Sequence, residues 1–220
     1  MGARGAVLAG ILERREAAAL ASVRRIALEP SVFRAQDPTF AEPARRILTR
    51  EIDAQLCFEL SKWYEIVETQ PDATVRAAIT HVRPTGRAAS FASAAASFFI
   101  PGPIGVRAPG TTGALGAEAE LVAADGRQLA AITWNRSAKV VGIDDPSLSR
   151  IGDALQLAEP FGDAAARALK PSDTKRRRIE KPDPCAAYGP RFRPAGFLAG
   201  ILTNLYIPEM NSARPAPVAP

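Results

Sequence analysis

The chain has 220 residues, 47% of them hydrophobic and 23% charged, enough to bury one core of ordinary size and to exclude disorder throughout. Its net charge of +5 arises from 28 basic and 23 acidic residues, and from Pro171 to Pro220 eight Lys or Arg stand against four Asp or Glu. Four of the five net charges therefore lie in that last stretch, and the nearly neutral body argues against a folded nucleic-acid-binding face.

Residues 1–22 read as an N-terminal segment compatible with a helix. The apolar run Ala6 to Leu12 is followed at once by Glu13, Arg14, Arg15 and Glu16, so it is too short for a secretory signal. Val23 to Glu29 reads as a first strand, closed by Pro30, and Ser31 to Phe40 as a polar connection. From Pro43 the pattern turns helical. Ala44, Ile47, Leu48, Ile52, Leu56, Leu60 and Trp63 recur every three or four residues, with proline at the first helical position.

Tyr64 to Glu68 and Thr74 to Val82 are strand-like runs separated by Gln70, Pro71, Asp72 and Ala73, which predicts a hairpin. A second hairpin is clearer. Leu115, Ala117, Ala119 and Leu121 alternate with Glu118 and Glu120, then Asp125-Gly126 turns the chain into Leu129 to Ala138. Asp144, Asp145 and Pro146 offer a cap for a last helix striped by Leu148, Ile151, Leu155, Ala158, Phe161, Ala165 and Leu169, with Pro160 expected to kink or split it.

The order β-α-β-β-β-β-α predicts an α+β domain over residues 23–170: a mixed, mainly antiparallel sheet of about five strands with two helices on one face. Residues 171–220 read as a basic, proline-rich tail with nine prolines and a short apolar helix-like segment. In that segment Phe197, Leu198, Ile201, Leu202, Leu205 and Tyr206 form a stripe that should dock on the domain or on another chain. No apolar run approaches the roughly 20 residues of a membrane-spanning helix.

Candidate chemistry is sparse. Cys57 and Cys185 have a spacing that suggests neither a disulfide framework nor a metal knuckle, and it leaves open whether they pair. One histidine, His81, and two scattered cysteines cannot build a three-histidine zinc site. No serine sits in a glycine-flanked elbow, and Gly102, Gly105 and Gly110 match no phosphate-binding spacing. No catalytic, cofactor or metal residue is assigned.

An interaction surface is the better candidate. Arg83 to Gly113 contains no acidic residue and sets Arg83, Arg87 and Arg107 beside Phe91, Phe98 and Phe99, a composition suited to a partner or an anionic membrane surface, or to lidding the bare sheet face. The run Lys175, Arg176, Arg177 and Arg178 is the other candidate. It lacks the interleaved aromatics of a single-strand reader, so nucleic acid is the lesser expectation.

Three stretches carry a resemblance: Arg24-Arg25-Ile26-Ala27-Leu28-Glu29-Pro30, the strand Val75 to Thr80, and the hairpin Ala117 to Ala131. With them, Val23 to Leu169 resembles the bacterial family catalogued as domain of unknown function 3313, envelope lipoproteins. The resemblance implies an exported α+β domain tethered at the periplasmic side of the outer membrane, with no known enzymatic activity. Members usually begin with a lipoprotein signal and an acylated cysteine, which are missing here. The expectation is a true start upstream of Met1; with Met1 as the start, the protein would be cytoplasmic.

The leading expectation is thus a noncatalytic envelope domain that binds a protein partner or associates with a membrane, its oligomeric state open. An enzyme with a site near His81 and a nucleic-acid binder acting through the tail are the alternatives.

Overall fold

The computed structural model describes residues 10–36, 40–86, 105–106, 112–138, 141–142, 147, 149–172, 174–179, 181–203 and 206–213. It is an α+β fold with a mixed seven-stranded sheet. In chain order come β1 (Gly10–Arg15), the single turn α1 (Ala17–Leu20), β2 (Arg25–Leu28), β3 (Val32–Phe33), α2 (Glu42–Leu60), β4 (Glu65–Ile66), β5 (Ala73–Arg83), β6 (Gly105–Val106), β7 (Ala114–Ala123), β8 (Gln128–Ser137), β9 (Val141–Gly142) and α3 (Gly152–Leu169). A 3-10 turn (Ala186–Tyr188) and two further helices, α4 (Pro194–Thr203) and α5 (Pro208–Asn211), follow.

The sheet runs β1-β8-β7-β5-β2-β4, with β3 also on β5; β6 and β9 form a separate pair. The Asp125-Gly126 hairpin forms as read. The Asp125 carboxylate accepts from Arg127 N at 2.9 Å, and Gly126 has φ +84°. A Cβ there would meet nothing within 4 Å, so Gly126→Ala tests backbone strain alone. The expected loss is about 1 kcal/mol in chemical denaturation.

The first predicted hairpin does not form. β4 and β5 lie on opposite sides of β2, each parallel to it. Ile26 on β2 is fully buried, so its backbone needs partners on both sides. The connection is pinned there as well: Asp72 Oδ2 accepts from Arg24 N and Arg25 N, both at 2.8 Å, and these two bonds hold its carboxyl below the ordinary value.

Two expected non-strands are strands. β1, placed in a segment expected to suit a helix, pairs antiparallel with β8. β3, in the expected connection, pairs parallel with β5 at Ala78 and Ile79. β2 and β3 lie one after the other along the same edge of β5 because Pro30, between them, cannot donate to a ladder.

Period-two burial sorts the strands. Val75, Ala77 and Ile79 of β5, Leu115, Ala117, Ala119 and Leu121 of β7, and Ala130, Ile132 and Trp134 of β8 are buried in one core. Leu48, Ile52, Leu56 and Leu60 of α2 enter that core together with the buried stripe of α3, whereas Ile47 is exposed. Trp134 and Phe161, each 0% exposed, meet with ring centroids 5.8 Å apart.

α3 begins at Gly152, later than expected, and the Asp144–Asp145 cap lies outside the described residues. Its start is tied to the sheet instead: the fully buried Asp153 accepts from Gly113 N at 2.6 Å. Pro160 does not split the helix; burial of the stripe on both sides of it outweighs one lost hydrogen bond. At the far end, Leu169 O accepts from the Tyr64 hydroxyl at 2.7 Å and Lys170 O from Arg15 at 2.6 Å, which satisfies carbonyls a helix terminus otherwise leaves open.

The segment after α3 lies along α2. Arg177 N donates to Lys62 O at 2.7 Å, and Arg191 donates to Phe58 O at 2.8 Å. Arg193 pairs with Glu51 at 3.3 Å. Cys185 forms a disulfide with Cys57, both buried, which answers the pairing question the sequence left open.

Candidate interaction surface

The helices cover one face of the sheet, and the alternation that sends Val75, Ala77 and Ile79 inward sends Arg76, Ala78 and Thr80 to the other. Outward residues of β3, β5, β7 and β8 border an open groove of about 390 Å³, with Glu29, Arg34, Arg76, Glu118, Glu120 and Gln128 in its walls. The charges there are paired across strands. Arg76 meets Glu29 at 3.1 Å, Arg34 meets Glu118 at 3.5 Å, and Gln128 Nε2 donates to Glu120 at 2.7 Å.

The two ion pairs are largely solvated, so each adds about 0–1 kcal/mol to stability. Their mixed signs along the groove suit recognition of a polar protein surface. The lining has no His, Cys or Ser to act as nucleophile or base. Among the described residues no group of three or more His, Cys, Asp or Glu is placed to hold a metal. No helix is long and apolar enough to cross a membrane, again among the described residues.

His81 sits half-buried on β5, opposite Gly116 and next to an irregularity in the β5–β7 register. Of the predicted surface residues, Arg83 and the run Lys175 to Arg178 are described, and they lie apart. Arg83, the last residue of β5, donates from Nε to Thr112 O at 3.0 Å. Lys175, Arg176, Arg177 and Arg178 lie near Lys62, close to where β5 begins. An eleven-residue strand separates its ends by roughly 33 Å. Arg87, Phe91, Phe98, Phe99 and Arg107 lie outside the described residues.

Sequence reasoning missed the polar clamp on α2. Arg191 grips both oxygens of Asp183, at 2.6 and 2.7 Å, and holds that carboxyl below its ordinary value. Glu51 is 2% exposed and accepts from Arg193, from Gln55 at 2.7 Å and from Ala213 N at 2.5 Å. Burial nevertheless pushes its carboxyl up. Asp53, also raised by burial, accepts from the backbone and hydroxyl of Ser31. The available signal was three acidic or cysteine positions, Glu51, Asp53 and Cys57, within or beside an apolar stripe.

Two solved structures similar to this chain are PelC dodecamers from Paraburkholderia phytofirmans. One, in space group P6, has TM-score 0.46 and 10% identity, covering 74% of this chain and 99% of that one. The other, a point variant in space group C2, has TM-score 0.42 and 12% identity, covering 76% and 100%. No curated protein matches. The family model described as "Protein of unknown function (DUF3313)" matches residues 3–165, a span that holds every strand of the seven-stranded sheet and most of α3. The chain belongs to this family, and the likeness read from its strands and hairpin is a family relationship.

Proposed function

We propose that the protein is an exported, noncatalytic domain at the periplasmic side of the outer membrane, which receives a protein partner on the outer face of its sheet. The buried Cys57–Cys185 disulfide carries this reading. Such bonds form and persist in oxidising compartments, the bacterial periplasm among them, and are rare in the cytosol. Family membership over the whole sheet supports the same reading, and the groove of paired charges offers a face to a polar partner.

Fractionating cells that express the gene from its native upstream region tests the reading, with thiols alkylated under denaturing conditions before any reductant is added. The expected product is periplasmic, of processed mass, and alkylated only after reduction. A cytosolic product of unprocessed mass with both thiols alkylated at once would overturn the proposal.

A further inference from the structure

Beyond residue 165 the chain leaves the span matched to its family, and α4 belongs to this additional part. α4 has no charged residue (PAGFLAGILT). Leu198 and Leu202, one turn apart on one helix face, are 56% and 74% exposed, and Phe192 and Met210 beside the helix are 66% and 47% exposed. Half of the large exposed hydrophobic side chains among the described residues thus fall between 192 and 210. Monomeric proteins seldom leave such a cluster facing water without use.

The charge around the cluster is mainly positive, with Glu209, next to Met210, the exception. No acidic residue occurs between Asp183 and Glu209, and the nearby acids are consumed internally: Asp183 by Arg191, and Glu51 by Arg193. Lys175, Arg176 and Arg178 are exposed and belong to the same segment, which meets the end of α2 at Lys62. Arg177 is anchored at Lys62 and Arg193 at Glu51, roughly 16 Å apart along the helix at 1.5 Å per residue.

We propose that this segment rests on the surface of an anionic phospholipid bilayer. Leu198, Leu202 and Phe192 enter the acyl boundary, and Lys175, Arg176 and Arg178 lie over the phosphates. An apolar helix face in the same segment as an exposed cationic run matches acyl chains bordered by phosphates. A second copy of the chain seated there would bring basic run against basic run. The proposal adds a contact to the envelope reading and does not depend on it, because vesicle binding is read on the purified chain.

The test sediments the full, oxidised chain with vesicles of phosphatidylglycerol and phosphatidylcholine, or of phosphatidylcholine alone. At about fivefold per cation, three cations predict binding about a hundredfold tighter to the anionic vesicles, weakening with salt. Leu198→Glu with Leu202→Glu is expected to weaken binding at least tenfold while leaving the thermal midpoint unchanged, since both side chains face solvent. Lys175→Gln, Arg176→Gln and Arg178→Gln together should remove most of the anionic preference. Three results overturn the proposal: no binding to anionic vesicles, wild-type binding by the double leucine variant, or light scattering that shows a dimer which the leucine variant dissociates.

Discussion

Replacing Cys57 and Cys185 together by alanine is expected to lower the thermal midpoint by roughly 5 to 15 °C, at about 2–4 °C per kcal/mol for a chain of this size. The bond joins positions 128 residues apart. The chain-entropy model assigns a loop that long about 5 kcal/mol, as a restriction of the unfolded ensemble. The realised loss should be smaller, about 2–4 kcal/mol, because an unfolded chain that keeps residual structure gains less freedom when the link is cut. Differential scanning calorimetry of the oxidised wild type and the double variant measures it, and equal midpoints would show that the bond contributes no constraint.

Arg193→Met is expected to cost about 3–5 kcal/mol at neutral pH, because it leaves Glu51 as a buried carboxylate without its counter-charge. Burial raises the Glu51 carboxyl above its ordinary value, while Arg193, Gln55 and Ala213 N oppose the rise. A carboxyl raised in the folded state takes up its proton on folding, so this group's destabilising contribution is fully present above the folded value and shrinks as the pH falls through it. Removing Arg193 removes the largest opposing influence, so the carboxyl rises further in the variant. The deficit relative to wild type should therefore be smaller at pH 5 than at pH 7. Urea denaturation at the two pH values measures it; a deficit independent of pH would mean that Glu51 is not the group left uncompensated. Adding Glu51→Gln to Arg193→Met should recover most of the loss at pH 7, since no charge then remains in the cluster.

How much of this was legible in the sequence follows from the range of the interactions. α2 and the β7–β8 hairpin are announced by local signals, a proline start with a three-to-four spacing and an Asp-Gly turn between alternating runs, and both stand as read. β1 escaped because Ile11 and Leu12 run directly into four charged residues, three of them within the strand, without alternation; β8 makes it a strand, and β8 lies more than a hundred residues away. The β4–β5 hairpin failed for a similar reason. The turn chemistry at Pro71 and Asp72 is real, but Asp72 turns the chain around β2 instead of folding one run onto its neighbour. The groove was half visible, since Glu118 and Glu120 read as a solvated strand face, while Arg34 and Glu29 reach it through a β3 pairing that no local pattern signals. The clamp on α2 joins residues more than a hundred positions apart, beyond any periodicity.

Among the described residues, β1 is an edge of the sheet. All six residues of β1 are exposed and, among the described residues, its outer side has no neighbouring strand, a template on which fibrous growth can begin. Its own side chains work against that. A second β1 laid antiparallel with Leu12 on Leu12 sets Ile11 against Glu13, and centring on Glu13 or Arg14 sets like charge on like. The three charges that hid this strand from a reading of the sequence are also of the kind that blunts an exposed sheet edge.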